Sequence, residues 1–170
     1  LRSDIRKTVL RAPIVYGPHD SGAYLIAKWV KSGLMLNPGG GAAHFSFIFI
    51  DDLSAALHRA VCDASLPGLY YVSENRSYQW RQYVLELAKA MRCKPPLMIS
   101  VPALPLSIAG FLSEKGAALL GKTALFNRDK ARESLAGHWI CSPAKWEKAA
   151  GFASWTPLER GLAATFGSNH

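Results

Sequence analysis

The stretch Thr8-Val9-Leu10-Arg11-Ala12-Pro13-Ile14-Val15-Tyr16-Gly17-Pro18 sets two β-branched, apolar runs on either side of Arg11-Ala12-Pro13. Such runs, punctuated by Gly-Pro, read as a buried strand that ends at the turn Gly17-Pro18. Working outward, Ala23 to Val30 predicts a helix closed by Gly33, and Asn37-Pro38-Gly39-Gly40-Gly41 predicts a loop. Phe45 to Ile50 is aromatic and β-branched throughout, the composition of a strand. Asp51 or Asp52 is then expected to cap a helix whose Leu53, Ala56, Leu57, Ala60 and Val61 recur at helical spacing and form one apolar face.

Gly68 opens a second strand through Leu69-Tyr70-Tyr71-Val72-Ser73. Ser77 is expected to cap the clearest helix, with Trp80, Tyr83, Val84, Leu87, Ala88 and Met91 on one side. Pro95 to Ser113 carries no charge, yet Pro96, Pro102 and Pro105 interrupt it. A strand leading into a buried helix around Leu104 to Leu120 therefore fits better than a spanning segment. Near the end, Ser142-Pro143 predicts a helix start with proline at the first helical position, and Gly151 its stop. Thr156-Pro157-Leu158-Glu159 has the spacing of a capping box for a last helix through Leu162 and Phe166. Strands alternating with helices make this an α/β chain.

A chain of 170 residues with 49% hydrophobic and 19% charged residues is long and apolar enough for one packed domain, which excludes a mainly disordered protein. The net charge of +8 is spread along the length, with no basic run beyond Arg6-Lys7. That spread does not single out a nucleic-acid or membrane partner, and a more acidic part lying elsewhere in a longer protein is expected to balance the charge. Cys62, Cys93 and Cys141 are odd in number and widely spaced, which points to reduced thiols in a cytoplasmic setting and away from a disulfide framework or zinc site. The five histidines show no ligand spacing, so no metal is expected.

Four ordered segments resemble the extended short-chain dehydrogenase/reductase family, the NAD-dependent epimerases and dehydratases. Thr8 to Pro18 resembles its L-R-x-P-x-V-Y-G-P element. Phe45-Ser46-Phe47-Ile48-Phe49-Ile50-Asp51-Asp52-Leu53 resembles F-I-x-V-D-D, and Gly68 to Ser73 is similar to G-x-Y-N-V-S. Lys145 through Gly151-Phe152 to Thr156-Pro157-Leu158-Glu159-Arg160-Gly161-Leu162 resembles the closing K-x-x-x-x-L-G-F…T-x-L-E-x-G-L signature. The resemblance implies the C-terminal portion of a Rossmann-type fold, its last sheet strands plus a mainly helical substrate-binding subdomain. On that reading residues 1–170 form a single C-terminal part, with the NAD(P)-binding part lying upstream of Leu1.

The resemblance further implies that Ala12, Pro13, Ile14 and Val15 lie against the nicotinamide of NAD or NADP, with backbone groups of Ile14 and Val15 holding its carboxamide. Proline suits such a place because it fixes the chain and presents no donor. The family's glycine-rich phosphate loop has no match: Gly39-Gly40-Gly41 lacks the third glycine and sits between a helix and a strand. Its Y-x-x-x-K pair matches only Tyr24-Leu25-Ile26-Ala27-Lys28, which falls after the Tyr16-Gly17-Pro18 turn rather than before it. Tyr24 is therefore read as a packing aromatic, no catalytic residue is assigned, and the isolated chain is expected to be inactive. Sugar-nucleotide members place a phosphate-binding Arg where this chain has Phe45 beside His44, and a second near Arg132. His44, Phe45 and Arg132 are thus the candidate substrate contacts, for a nucleotide sugar or a related hydroxyl or carbonyl compound. The Phe45 departure favours an apolar or smaller substrate, and the alternative is a non-catalytic binding module that has kept the fold. The strands at Thr8 to Val15 and Leu69 to Ser73 are expected to leave exposed edges that favour a homodimer.

Overall fold

The computed structural model describes residues 7–38, 43–101 and 137–167. The opening stretch forms two strands, β1 (Thr8–Arg11) and β2 (Ile14–Tyr16), where one continuous strand was expected. Pro13 supplies the reason, since it has no N–H to continue a ladder. Before the break β1 pairs in parallel with β5 (Gly68–Tyr71), and after it β2 pairs in parallel with β4 (His44–Phe49). The expected burial is also partial, because Val9 is 46% exposed, Leu10 and Val15 are half-buried against the core, and only Tyr16, at the far end, is fully buried.

Helix α1 (Ser21–Lys31) starts at Asp20, whose carboxylate accepts from the Gly22 N–H, and it ends before Gly33 at φ 79°. Of the expected loop, Gly39 to Gly41 lie outside the described residues. Asn37 and Pro38 complete β3 (Leu34–Pro38), paired in parallel with β7 (Leu97–Val101). Helix α2 (Ile50–Cys62) starts one residue before Asp51, with Phe49 at the cap position, so neither aspartate is the cap. Both sit in the first turn, where the helix dipole favours a carboxylate. Of its expected apolar face, Ala56 is fully buried and Leu53 and Ala60 pack on the core, while Leu57 and Val61 face outward.

Ser77 does not cap the next helix either. It opens β6 (Ser77–Gln79), antiparallel to the first half of β4, and α3 (Trp80–Ala90) follows directly. The Gln79 N–H donates to Gln82 Oε1 at 2.9 Å. The expected apolar side of α3 is inside: Tyr83, Val84, Leu87 and Ala88 are buried, with Trp80 and Met91 packed beside them. Helix α4 (Ala144–Ala150) takes Pro143 as its cap rather than its first residue, and stops at Gly151 with φ 64°. The helix expected around Leu104 to Leu120 lies outside the described residues. No helix among the described residues is long and apolar enough to cross a membrane.

Strand β4 separates two cores. Phe47 and Phe49 point into one, with Tyr16, Tyr78, Tyr83, Leu87 and Leu162, while Ile48 points into the other, with Val72, Tyr70 and Trp146. This is the two-residue alternation of a strand, with both faces apolar. Phe47 and Tyr83 stack at 5.0 Å between ring centroids. Helix α5 (Leu158–Phe166) closes the first core, and Gly161 lies so near the Tyr16 ring that a Cβ there would overlap it.

Helix α5 is held at its start by other parts of the chain instead of a capping box. Its Leu158 N–H donates to Glu74 Oε2 at 3.1 Å, while Thr156 donates to Asp52 through its N–H (2.6 Å) and hydroxyl (3.0 Å). Glu74 is buried, accepts from the Tyr78 hydroxyl at 2.5 Å, and donates its own N–H to the Phe47 carbonyl at 2.9 Å. Burial pushes its carboxyl above the ordinary carboxylate range, and the nearby Glu159 adds to this, against the opposing pull of its hydrogen bonds.

A folded-state pKa above the unfolded one means that protonation favours the fold, so this group's contribution fades as pH rises through its folded pKa. Glu74→Gln should therefore gain on the wild type as pH climbs out of the carboxylate range, because a neutral amide oxygen still accepts from Leu158. Glu74→Ala should cost about 1–3 kcal/mol at low pH by leaving the Leu158 N–H unpaired, and less as pH rises through the Glu74 pKa. Urea unfolding of the three proteins across that pH range reads both effects.

Candidate functional site

Parallel strands β1 and β5 run in the same direction and end together, at Arg11 and Tyr71. Beyond those ends the structure opens a cavity of about 270 Å³. Ala12 and Pro13, released from β1, form one side of it; Tyr71 and the segment His138-Trp139-Ile140-Cys141 form the rest. In open α/β sheets this is where ligands bind, in the crevice outside the carboxyl ends of the strands.

The wall from His138 to Cys141 is held in register by β4. Trp139 donates its N–H to the His44 carbonyl at 2.7 Å, and the Ser46 N–H donates to the Trp139 carbonyl at 2.9 Å. These two bonds make a short parallel bridge opposite Phe45. Two buried hydroxyls extend the grip: Ser46 Oγ and Ser73 Oγ both donate to the Cys141 carbonyl, at 3.4 and 3.3 Å. The Cys141 N–H donates back to Ser46 Oγ at 3.2 Å. At the outer end the His44 N–H donates to His138 Nδ1 at 3.2 Å. A ring that accepts at Nδ1 carries its proton on Nε2, so His138 presents one N–H donor.

Of the residues expected to hold a cofactor, Ala12 and Pro13 reach the cavity, whereas Ile14 and Val15 stand in β2 opposite Phe47 and Ile48. His44 and Phe45 lie behind the wall rather than on it. His44 packs on His138 (5.5 Å between centroids), and Phe45 packs edge-on against Trp80 (6.3 Å) in the first core. Arg132 lies outside the described residues. Tyr24 meets Phe166 edge-on at 5.3 Å, the contact of a packing aromatic. Asp52, read as a helix cap, instead ties down Thr156. No cluster of His, Cys, Asp or Glu among the described residues could hold a metal ion.

Sequence reasoning assigns no site role to Tyr71 or to the wall, and it reads Trp139, Trp146 and Trp155 as core or docking surface rather than a sugar platform. Of the three C-terminal tryptophans, Trp146 is wholly buried and Trp155 donates to Glu147 Oε1 at 2.7 Å, while Trp139 lines the cavity at 43% exposure. The run Trp139-Ile140-Cys141 just before a helix start was the available signal, but nothing local shows that it pairs with β4, some 95 residues away.

Because Ser46 both donates to and accepts from Cys141, Ser46→Ala should loosen the wall without opening the core. Amide exchange at Trp139 and Cys141 should quicken, with a stability loss of about 1–3 kcal/mol from the orphaned groups.

No protein-family profile matches the chain. It is 26% identical over 167 residues to a ceramide reductase of Caulobacter vibrioides, covering 97% of this chain and 48% of that protein. It is also 26% identical over 154 residues to a 3-diazoavenalumate denitrifying reductase of a Streptomyces species, covering 88% of this chain and 47% of that one. Among solved structures, it resembles the human epimerase family protein SDR39U1 with NADPH at TM-score 0.72 and 19% identity, over 96% of this chain and 49% of that one. It resembles the UDP-glucuronic acid 4-epimerase of Bacillus cereus, with UDP-glucuronic acid and NAD, at TM-score 0.64 and 16% identity, over 96% and 45%. The chain thus spans about half the length of each protein it matches. In fold, the chain resembles about half of a Rossmann-type extended short-chain dehydrogenase/reductase structure.

Proposed function

We propose that the chain is the C-terminal, substrate-side part of an NAD(P)-dependent reductase acting on a hydroxyl or carbonyl compound. The observation that carries this reading is the cavity beyond the paired ends of β1 and β5, where the chain breaks at Ala12-Pro13. The names of the two curated relatives favour reductase over epimerase.

The residues present suit one end of the cofactor. Pro13 offers a rigid apolar surface without a donor, and β2 is the edge strand of its sheet among the described residues, so one side of its backbone is open to a carboxamide. Ala12 and Pro13 would support the nicotinamide ring, with Ile14 and Val15 meeting the carboxamide. The cofactor, when bound, exchanges a hydride with the substrate. This chain's part is to orient the two partners and exclude water, with the wall from His138 to Cys141 facing the strand break. The phosphates and the proton-transfer pair belong, on this reading, to residues upstream of Leu1. Val9 and Leu69, exposed neighbours across β1 and β5, are the surface proposed for self-association.

The 170-residue chain alone should show no NAD(P)H oxidation with ketone substrates, followed at the nicotinamide absorbance, and should regain activity only when joined to the upstream half. Turnover by the isolated chain that disappears in Tyr24→Phe would contradict this assignment.

A further inference from the structure

Resting on the reading of this cleft as the substrate site, we infer that its ligand is an uncharged aromatic carbonyl compound rather than a nucleoside-diphosphate sugar. Four of the residues that line the cavity, Trp139, Tyr71, Pro13 and Ile140, are aromatic or apolar. Aromatic and apolar walls of this kind bind flat rings by stacking and by apolar burial. Trp139 and Ile140 keep 43% and 57% of their surface exposed although their backbones are fixed. They are therefore held as a platform rather than folded inward as core.

The polar groups are few and neutral in role. His138 offers a single ring N–H, suited to one carbonyl oxygen. Among the described residues, Arg11 and Lys145 beside the cleft already have partners. Arg11 donates to the Tyr71 hydroxyl at 3.3 Å, and Lys145 donates to the Leu69 carbonyl at 2.8 Å while resting over the Tyr70 ring. A diphosphate needs free bidentate donors, and drawing these side chains away would break the contacts they make now.

The test is a pair of NMR titrations of the 170-residue chain, one with 2-acetonaphthone and one with UDP-glucose, following the amides of Ala12, Tyr71 and residues 138–141. The naphthyl ketone should shift these amides saturably, and UDP-glucose should bind at least about tenfold more weakly. Trp139→Ala and Ile140→Lys should each weaken the ketone by about tenfold. Both sites are solvent-facing, and Trp139→Phe, which keeps a ring, should retain most of the affinity, so a folding defect in the alanine variant would not hide the result. If UDP-glucose alone moves these amides, the cleft is still the substrate site and the aromatic assignment falls. If neither ligand moves them, the assignment falls together with the reading of the cleft. Ketone binding that ignores both Trp139→Ala and Ile140→Lys would overturn it as well.

Discussion

Strand β4 is the constraint on which the rest depends. Its side chains are buried toward two separate cores, Phe47 and Phe49 on one side and Ile48 on the other. Its backbone meets β2, β6 and the Trp139 bridge. A strand packed on both faces has little freedom to slip, because a shift of one residue would exchange the aromatic and aliphatic faces. Fixing β4 thus fixes β2, and with it the position at which the chain leaves β1. The same strand sets the depth of the His138–Cys141 wall. Both sides of the cleft are consequently referenced to one rigid element, which is what a site needs if it is to orient a ligand to within fractions of an ångström.

Two carboxylates tie the C-terminal helix to this frame. Glu74 and Asp52 come from different elements, yet both end at the start of α5, on the Leu158 N–H and on Thr156. Glu74 satisfies a donor that the helix start would otherwise leave unpaired, and Asp52 holds the residue just before its cap, both at the end where the dipole favours negative charge. The result seats Gly161 against Tyr16, so the last recognisable motif in the sequence closes directly over the first. Burial of the Tyr16 ring raises its hydroxyl far above its ordinary pKa, with Glu74 and Asp52 adding to the effect, so it stays a neutral core group.

Much of this fold was legible in the chain. The helices α1, α3 and α4 and the glycine stops at Gly33 and Gly151 follow from periodicity and from backbone freedom at positive φ. The ordered motifs gave the fold family. What could not be read was long-range partnership. Asp51, Asp52, Ser77 and Thr156 all belong to residue types that cap helices, and local statistics assign them to the nearest helix start. In the folded chain, Asp52 and Thr156 satisfy each other across 104 residues of sequence, and Ser77 is taken by a strand pairing with Ser46. The proline break was visible, but the change of partner strand across it was not, since only the tertiary register distinguishes β5 from β4. The site suffered most: Ala12 and Pro13 were found through the motif they sit in, whereas Tyr71 and Trp139 carry no local mark of facing a cavity.

The account stands or falls on whether the crevice past β1 and β5 is where a nicotinamide rests. The direct measurement is chemical-shift mapping of nicotinamide mononucleotide on the 170-residue chain, since this fragment needs none of the phosphate-binding half. Shifts centred on Ala12, Ile14 and Val15 and reaching Tyr71 and the amides from His138 to Cys141 are the expected result. Saturable binding that leaves those amides unmoved and perturbs another surface would contradict it.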